Sequence, residues 1–219
     1  MKKGLGILGR LQRTPKWKQV EFKELEYKAH TVKDILTEMK DISELIIDLA
    51  YSAILFKDDE IAEEVRYLET RMDYLNYEIR MMAMMAARTR DDAEQLSGIL
   101  QIAEAAETIS NAAGDIANIV SLGKDKIGFL PKVLKRADEK IFRINISPKS
   151  QACDKSIGEL AVESETGMHI IAIRRGNYWI YDPGAPTVLK KNDTLIVRGA
   201  EEGFKDLKLF LTGKRRGLE

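Results

Sequence analysis

The apolar residues in the first half of the chain recur every three or four positions, which is the period of an amphipathic helix. They form three seams, which begin at Val32, Ile61 and Leu96. Short polar breaks, KDDE and then TRDD, separate the seams. Because short breaks between long helices favour antiparallel packing, the pattern predicts an all-α antiparallel helical bundle over residues 20–122.

Polar residues at the predicted helix starts support these assignments. Thr31 suits an N-cap position, and Thr89 and Asp92 have capping-box spacing. The methionines of RMMAMMAAR, which end the second seam, are interpreted as flexible core filling rather than as a binding surface. The third seam is rich in alanine, so that a neighbouring helix can approach closely; it contains Leu96, Ile99, Ala103, Ala106, Ile109, Ala113 and Ile116.

Beyond Lys140 the period shortens to two residues, which is typical of β-strands. The predicted strands are IFRINI, MHIIAIRR, YWIY and TLIVRG, with a hairpin turn at Gly176 and Asn177. SIGELAVES is predicted to be a short helix that ends at Gly167, and EEGFKDLKLFL an amphipathic helix. Residues 140–212 are therefore predicted to form a small α+β domain.

Three further segments complete the predicted organisation. Residues 1–19 form a basic N-terminal arm, and residues 213–219 form a solvated tail. Residues 123–139 form a linker, because SLGKDKIGFLP contains two glycines and a proline, followed by a short helix.

The net charge of zero hides an uneven distribution. Residues 1–19 carry six basic and no acidic residues, whereas residues 20–123 carry 10 basic and 22 acidic residues, a net charge of −12. Residues 124–219 carry 19 basic and 13 acidic residues, a net charge of +6. Such an uneven charge distribution indicates segments with separate functions. Because the acidic bundle would repel phosphates, we expect no nucleic-acid partner.

Several kinds of chemistry lack the residues that they need. With one cysteine, Cys153, and two histidines, the sequence can form neither an intrachain disulfide nor a Cys/His zinc site. It also has no nucleophile elbow and no glycine-rich phosphate loop, so we expect no enzyme. No apolar run approaches the roughly 18 residues of a spanning helix, and the start lacks a secretory signal. We expect a cytoplasmic protein that can lie at the inner face of the membrane through a transporter partner.

Residues 141–211 resemble the C-terminal domain of TrkA and of the regulator-of-potassium-conductance (RCK) proteins. The resemblance is carried by GELA, TGMHIIAIRRG, a following proline and the ending NDTLIVRG. It implies a homodimer made through this domain, with a small-molecule site where two copies meet. The matching ligand-binding positions are Ala161, Val162, Glu163, His169, Ile171 and Pro183.

In some relatives that ligand is cyclic di-AMP, so the resemblance implies that a nucleotide or cyclic dinucleotide could bind. Such relatives often place an arginine where this chain has Glu163, and a carboxylate repels a phosphate. Arg174 or Arg175 could supply the positive charge instead. His169 could equally be a solvent-facing or interface residue, because strand alternation turns it away from Ile170.

The helical half resembles the PhoU-like bundle, through DEIAEEVRYLETRMDYLNYEI and AAETISNAAGDIANI. In that family, paired acidic motifs hold metal ions. Glu69 and Asp73 fit the E-x-x-x-D pattern, which places both carboxylates on one helix face. The partner motif is altered and consists of Glu107, Asn111 and Asp115.

Oxygen ligands of this kind suit a hard divalent or trivalent cation. The competing interpretation is an ordinary solvated face, because Glu44 and Asp48 match the same pattern.

Proteins that join the two modules occur in archaea and look like accessory subunits of cation transport systems. The combination implies a subunit that binds a small ligand and relays its state through the bundle to a membrane channel or transporter, above all one for potassium. The alternative is a metal-binding PhoU-like regulator of phosphate uptake or signalling.

Overall fold

A computed structural model of the protein describes residues 31–121 and 139–218, which belong to two compact units. The first is helical, and the second combines a small antiparallel sheet with helices. The mixed fold class predicted from the sequence is confirmed. The predicted basic arm and nearly all of the predicted linker lie outside the described residues.

The helical unit contains three long helices, each in contact with the other two. They are α1 (Val32–Phe56), α2 (Asp59–Ala86) and α3 (Arg90–Ser121). Thr31 caps α1 and forms a capping box with Asp34, and the Thr89 hydroxyl accepts from the Asp92 amide at 3.1 Å. Both predicted caps are therefore confirmed. Each cap satisfies backbone N–H groups that a helix start leaves without intrahelical partners.

The seam that α3 buries differs from the predicted one. Ile109 is 40% exposed, whereas Ser110, one position on, is fully buried. The buried seam contains Ala103, Ala106, Ser110, Ala113, Ala117 and Val120. Five of these side chains are small, which lets α3 lie close to α1 and α2; the larger isoleucines lie on another face.

The methionine cluster at the end of α2 was expected to fill the core, and for three of its four members this is wrong. Met81 is 38% exposed, Met84 is 66% exposed and Met85 is 71% exposed, whereas Ala83 is buried. The helix ends at Ala86, and Ala87 caps it, so the bundle interior reaches no further than Ala83 on this helix.

The second unit is built on a four-stranded sheet in which every neighbouring pair is antiparallel. Its strands are β1 (Lys140–Asn145), β2 (His169–Arg175), β3 (Tyr178–Tyr181) and β4 (Thr194–Gly199), in the spatial order β1-β4-β2-β3. The predicted hairpin at Gly176 is confirmed, with a left-handed φ of 59° at that glycine. Two short helices, α4 (Ile157–Leu160) and α5 (Val162–Thr166), lie between β1 and β2, and α6 (Glu201–Leu211) follows β4.

One hydrophobic core unites this sheet and its helices. It contains Ile144, Ile170, Ile173, Leu195 and Val197 from the strands, together with Leu207, Phe210 and Leu211 from α6. In β1 and β4 alternate residues supply this face, as the two-residue period predicted, whereas β2 supplies Ile170 and Ile173 across a register shift.

An ion pair in this unit fixes the turn before β4. The Arg175 guanidinium donates to both carboxylate oxygens of Asp193, at 2.9 and 2.7 Å, and to the Val188 carbonyl at 2.7 Å. Asp193 is almost completely buried, and it also accepts from the Lys190 amide at 2.9 Å. The hydrogen bonds that Arg175 donates to Asp193 raise the pKa of the Arg175 guanidinium. Arg175 therefore serves to stabilise the fold.

Across the described ranges, 31–121 and 139–218, no helix combines the length and apolar character that crossing a membrane requires.

Candidate ligand cleft and carboxylate cluster

An open cleft of about 330 Å³ lies in the second unit, between the helices α4 and α5, the start of β2 and the loop after β3. Backbone and small apolar side chains form most of its wall, and the polar side chains stand at its edge. The residues that line it are Ile157, Gly158, Ala161, Val162, Glu163, Ser164, Met168, His169, Ile170, Asp182, Pro183, Gly184 and Ala185.

The two walls of the cleft are tied together at α4. The Gly158 amide donates to the Ala185 carbonyl at 2.8 Å, and the Ile157 amide donates to the Thr187 carbonyl at 2.9 Å. A Cβ on Gly158 would lie 3.1 Å from the Ala185 Cβ, which is too close without a shift. A side chain at position 158 would therefore require Ala185 to move by a few tenths of an ångström.

A break in the helix shapes the opposite wall. The sequence predicted one short helix here, but Ala161 has a left-handed φ of 47° and separates α4 from α5. The predicted capping box of Ser156 and Glu159 is present and starts α4, and its hydrogen bonds lower the pKa of Glu159. Gly167, with a φ of 64°, ends α5 as predicted. These turns direct the chain from α5 into β2 and so place His169 at the cleft.

His169 stands between two carboxylates. Its Nδ1 lies 3.6 Å from a Glu163 oxygen, and its Nε2 lies 3.8 Å from an Asp182 oxygen. Both distances exceed hydrogen-bonding range, and the His169 side chain is 40% exposed, so its ring nitrogens are open to an incoming group. Asp182 is held in place because its amide donates to the Ile171 carbonyl at 3.0 Å.

The charges at the cleft are therefore acidic apart from the histidine. Among the described residues, no lysine or arginine lines it. Arg175, considered above as a source of positive charge, is bound to Asp193, and Arg174 also lies outside the lining residues. A single copy of the domain consequently offers acceptors and an imidazole, but no cation for a phosphate.

Five of the six predicted ligand positions line this cleft; they are Ala161, Val162, Glu163, His169 and Pro183. Ile171 does not, because β2 carries a register shift between Ile170 and Ala172, which leaves Ile171 as the extra residue. Ile170 lines the cleft instead. Sequence reasoning also missed Asp182, whose only signal was its position directly before Pro183.

On the helical unit, three of the five predicted metal-binding residues lie near one another. The Glu69 carboxylate packs against α3 at Gly114, where a Cβ would collide with it. Its pKa is raised by burial first and then by the negative charges of Asp73 and Asp115. The three carboxylates thus form an acidic cluster between α2 and α3.

The other two residues do not join this cluster. Glu107 accepts a hydrogen bond from Asn76 and lies 3.8 Å from the Arg80 guanidinium, which also binds Glu104 at 2.8 Å. Glu107 therefore links α2 to α3. Asn111 is exposed.

We tested whether these residues fit the metal that PhoU resemblance implies. Burial first, and then the negative charges of Asp73 and Asp115, raise the pKa of Glu69, and a cation nearby would oppose that shift. However, within the described part of the chain no group of three or more histidine, cysteine or acidic residues is arranged to hold a metal ion. The cluster fits a cation in charge but not in geometry, so we derive no step through a metal.

Two family models match the chain. The PhoU domain matches residues 36–120, and the TrkA-C domain matches residues 141–212. Both are regulatory rather than enzymatic domains. No curated protein matches the chain.

Solved structures also match. The RCK_C domain dimer of Streptococcus agalactiae BusR in complex with c-di-AMP has 29% identity, with 36% of this chain and 96% of that chain covered and a TM-score of 0.33. S. agalactiae BusR in complex with its busAB-promotor DNA has 21% identity, 80% and 97% coverage and a TM-score of 0.32. The GsuK RCK domain has 20% identity and a TM-score of 0.30, covering 48% of this chain and 24% of its own.

At these TM-scores the matches establish no common overall structure, and the bound c-di-AMP and DNA are properties of those proteins. The chain spans about a quarter of the GsuK chain's length. The prediction of no nucleic-acid partner is nevertheless contradicted, because BusR is seen with its promoter DNA. That prediction was wrong because it used the net charge of one whole segment, whereas nucleic-acid binding depends on a local basic surface.

The raised pKa of Glu69 predicts that the stability of the helical unit depends on pH. Because its folded pKa lies above the unfolded value of about 4.5, the stability of the helical unit falls as pH rises from that value through the folded pKa. We expect Glu69→Gln to be the more stable protein at pH 7 and to lose this advantage near pH 4, in urea denaturation without added metal. The solvated Glu44→Gln is the control. Equal pH profiles for Glu69→Gln and wild type would contradict the assignment.

Proposed function

Because the chain carries a PhoU domain and a TrkA-C domain, we propose that it is a ligand-sensing regulatory subunit of a cation transport system, above all one for potassium. Two copies associate through their TrkA-C domains at the cytoplasmic face of a membrane channel or transporter. The observation that carries the proposal is the cleft of the TrkA-C domain, where His169 stands between Glu163 and Asp182.

The cleft's chemistry supports a ligand with nitrogen donors. Glu163 and Asp182 accept hydrogen bonds, and a neutral imidazole, such as His169 can supply, donates at one nitrogen and accepts at the other. The apolar wall, which includes Val162, Ile170 and Pro183, suits a flat ring. For a nucleotide or cyclic dinucleotide, one copy would contact the base, and the phosphates would need cations from the second copy.

Regulation follows from differential binding. A ligand that contacts both copies favours the arrangement in which its two half-sites fit, and the population of that arrangement rises. The helical bundles of the two copies then change their spacing against the transporter. No chemical step is needed.

The test is a calorimetric and thermal-shift screen with nucleotides, cyclic dinucleotides and divalent cations. We expect one ligand to bind wild type at least about tenfold more tightly than His169→Ala, the equivalent of roughly 1.4 kcal/mol. Glu202→Ala, an exposed change on α6 away from the cleft, should bind as wild type does. If no ligand of these classes distinguishes wild type from His169→Ala, the proposal fails.

A second candidate function is metal-dependent regulation of phosphate uptake or signalling through the PhoU domain. The acidic cluster of Glu69, Asp73 and Asp115 favours it, because like charges held together at a helix interface cost stability unless a cation compensates them.

Metal analysis of purified protein tests this candidate. We expect Mg²⁺ or Mn²⁺ to raise the melting temperature of wild type, with copurified metal lost in Glu69→Gln and in Asp73→Asn. Glu44→Gln is a matched control, because Glu44 and Asp48 have the same spacing but Glu44 pairs with Lys40 at 2.9 Å. Equally little metal in wild type and mutants would rule this function out.

A further inference from the structure

The third helix carries a second apolar stripe besides the seam that packs inside the bundle. Ile102 is 61% exposed and Ile109 is 40% exposed, Ala105 and Ala112 are also exposed, and Ile116 and Ile119 are half-buried. The six residues follow a strict spacing of three and four. The α3 stripe is Ile102, Ala105, Ile109, Ala112, Ile116 and Ile119.

This spacing is that of the a and d positions of a heptad repeat, with isoleucine at every a position. No charged residue occupies any of the six positions. The stripe spans 18 residues, or roughly 26 Å of helix. An apolar repeat of this length on an exposed helix face is an interaction surface, and its period specifies another helix as the partner.

We propose that the α3 stripe binds the α3 stripe of a second copy in antiparallel orientation. In an antiparallel pair, a positions face d positions of the partner helix. Centred between Ser110 and Asn111, this pairing puts Ile109 opposite Ala112 of the partner and Ala105 opposite Ile116 of the partner. Ile102 and Ile119 close the two ends.

Volume favours this orientation. Each inner layer then contains one isoleucine and one alanine, so the layers have equal volume and the helices stay evenly spaced. A parallel pair would place Ala105 and Ala112 against their own copies between layers of paired isoleucines, and this leaves voids that cost stability. The sequence of α3 is therefore complementary to itself in the antiparallel direction.

Neighbouring residues also permit the contact. Of the residues at 101, 108 and 115, which flank the stripe on one side, Gln101 and Thr108 are exposed and uncharged, and Asp115 lies near Thr108 of the partner in this pairing, so two copies do not bring like charges together there. At the stripe's start, Ile99 lines an apolar groove of about 410 Å³ with Val32 and Leu36 of α1, which extends the apolar surface. This interface is separate from the one proposed for the TrkA-C domain.

Distances between spin labels on the full chain test the proposal. Labels are attached to a cysteine at position 108 or at position 101, in a Cys153→Ser background that removes the only native cysteine. Antiparallel pairing about the stated centre predicts offsets along the helix of about 8 Å for Thr108→Cys and about 28 Å for Gln101→Cys, from the 1.5 Å rise per residue. With helix axes 8–10 Å apart, the label pairs should lie at roughly 15 and 30 Å.

Two variants serve as controls for this measurement. Ile109→Glu should abolish both distances, whereas Tyr77→Glu, a matched change at an exposed aromatic on α2, should leave them unchanged. Circular dichroism checks that each variant keeps its helices. Short distances at both positions would contradict the antiparallel orientation. Persistence of the distances in Ile109→Glu, or no distance below about 40 Å at position 108, would overturn the proposal.

Discussion

The cleft depends on one close approach of two backbone segments, where Gly158 meets Ala185. The Gly158 amide donates to the Ala185 carbonyl at 2.8 Å, and a Cβ at position 158 would lie 3.1 Å from the Ala185 Cβ, so a side chain there would require a shift of a few tenths of an ångström. The neighbouring bond from Ile157 to Thr187 repeats the tie one residue earlier. Together they fix the loop after β3 against α4, so Pro183 and Asp182 stand opposite α5. The wall formed by α5 in turn depends on the left-handed Ala161, which ends α4 and lets the chain turn before β2.

The charged residues at the cleft determine which kind of ligand it can bind. The buried ion pair between Arg175 and Asp193 holds the turn before β4, and neither residue lines the cleft. What remains at the cleft is an imidazole between two carboxylates. Such a site recognises hydrogen-bond donors, and it becomes suitable for an anionic ligand only when a second copy contributes cations. In the proposed dimer, the choice of ligand therefore depends on whether the second copy contributes cations.

Much of the fold could be predicted from the sequence, for physical reasons that are visible in particular residues. The change of apolar period at Lys140 separates the helical unit from the sheet, and the caps at Thr31, Thr89 and Ser156 mark helix starts by local hydrogen bonds. These signals depend only on residues that are close together in the chain, so they can be identified from a single sequence. The wrong predictions concern which face of an element packs against the rest of the unit. The chain's third helix has two apolar stripes, and nothing in the period says which one faces the bundle, so Ile109 was assigned to the core and Ser110 was missed.

The candidate site shows the same division. Five of the residues that line the cleft could be predicted from the family resemblance. The bulge at Ile171 could not be predicted, because β2 is apolar on both faces and its sequence shows no break in an apolar/polar alternation. Asp182 escaped notice because its left-handed φ of 39°, which a non-glycine residue seldom adopts, is not signalled by the sequence. Glu107 was grouped with the metal motif through the family resemblance, whereas its environment is set by Asn76 and Arg80 on another helix.

The central claim is that occupancy of the cleft is transmitted to the helical bundle. Hydrogen–deuterium exchange of the full chain, with and without a saturating nucleotide or cyclic dinucleotide that binds it, tests this claim most directly. The account predicts slower exchange in the segments 157–163 and 182–185, together with a change in exchange within 31–121. Slower exchange confined to the cleft, with the bundle unaltered, would contradict it.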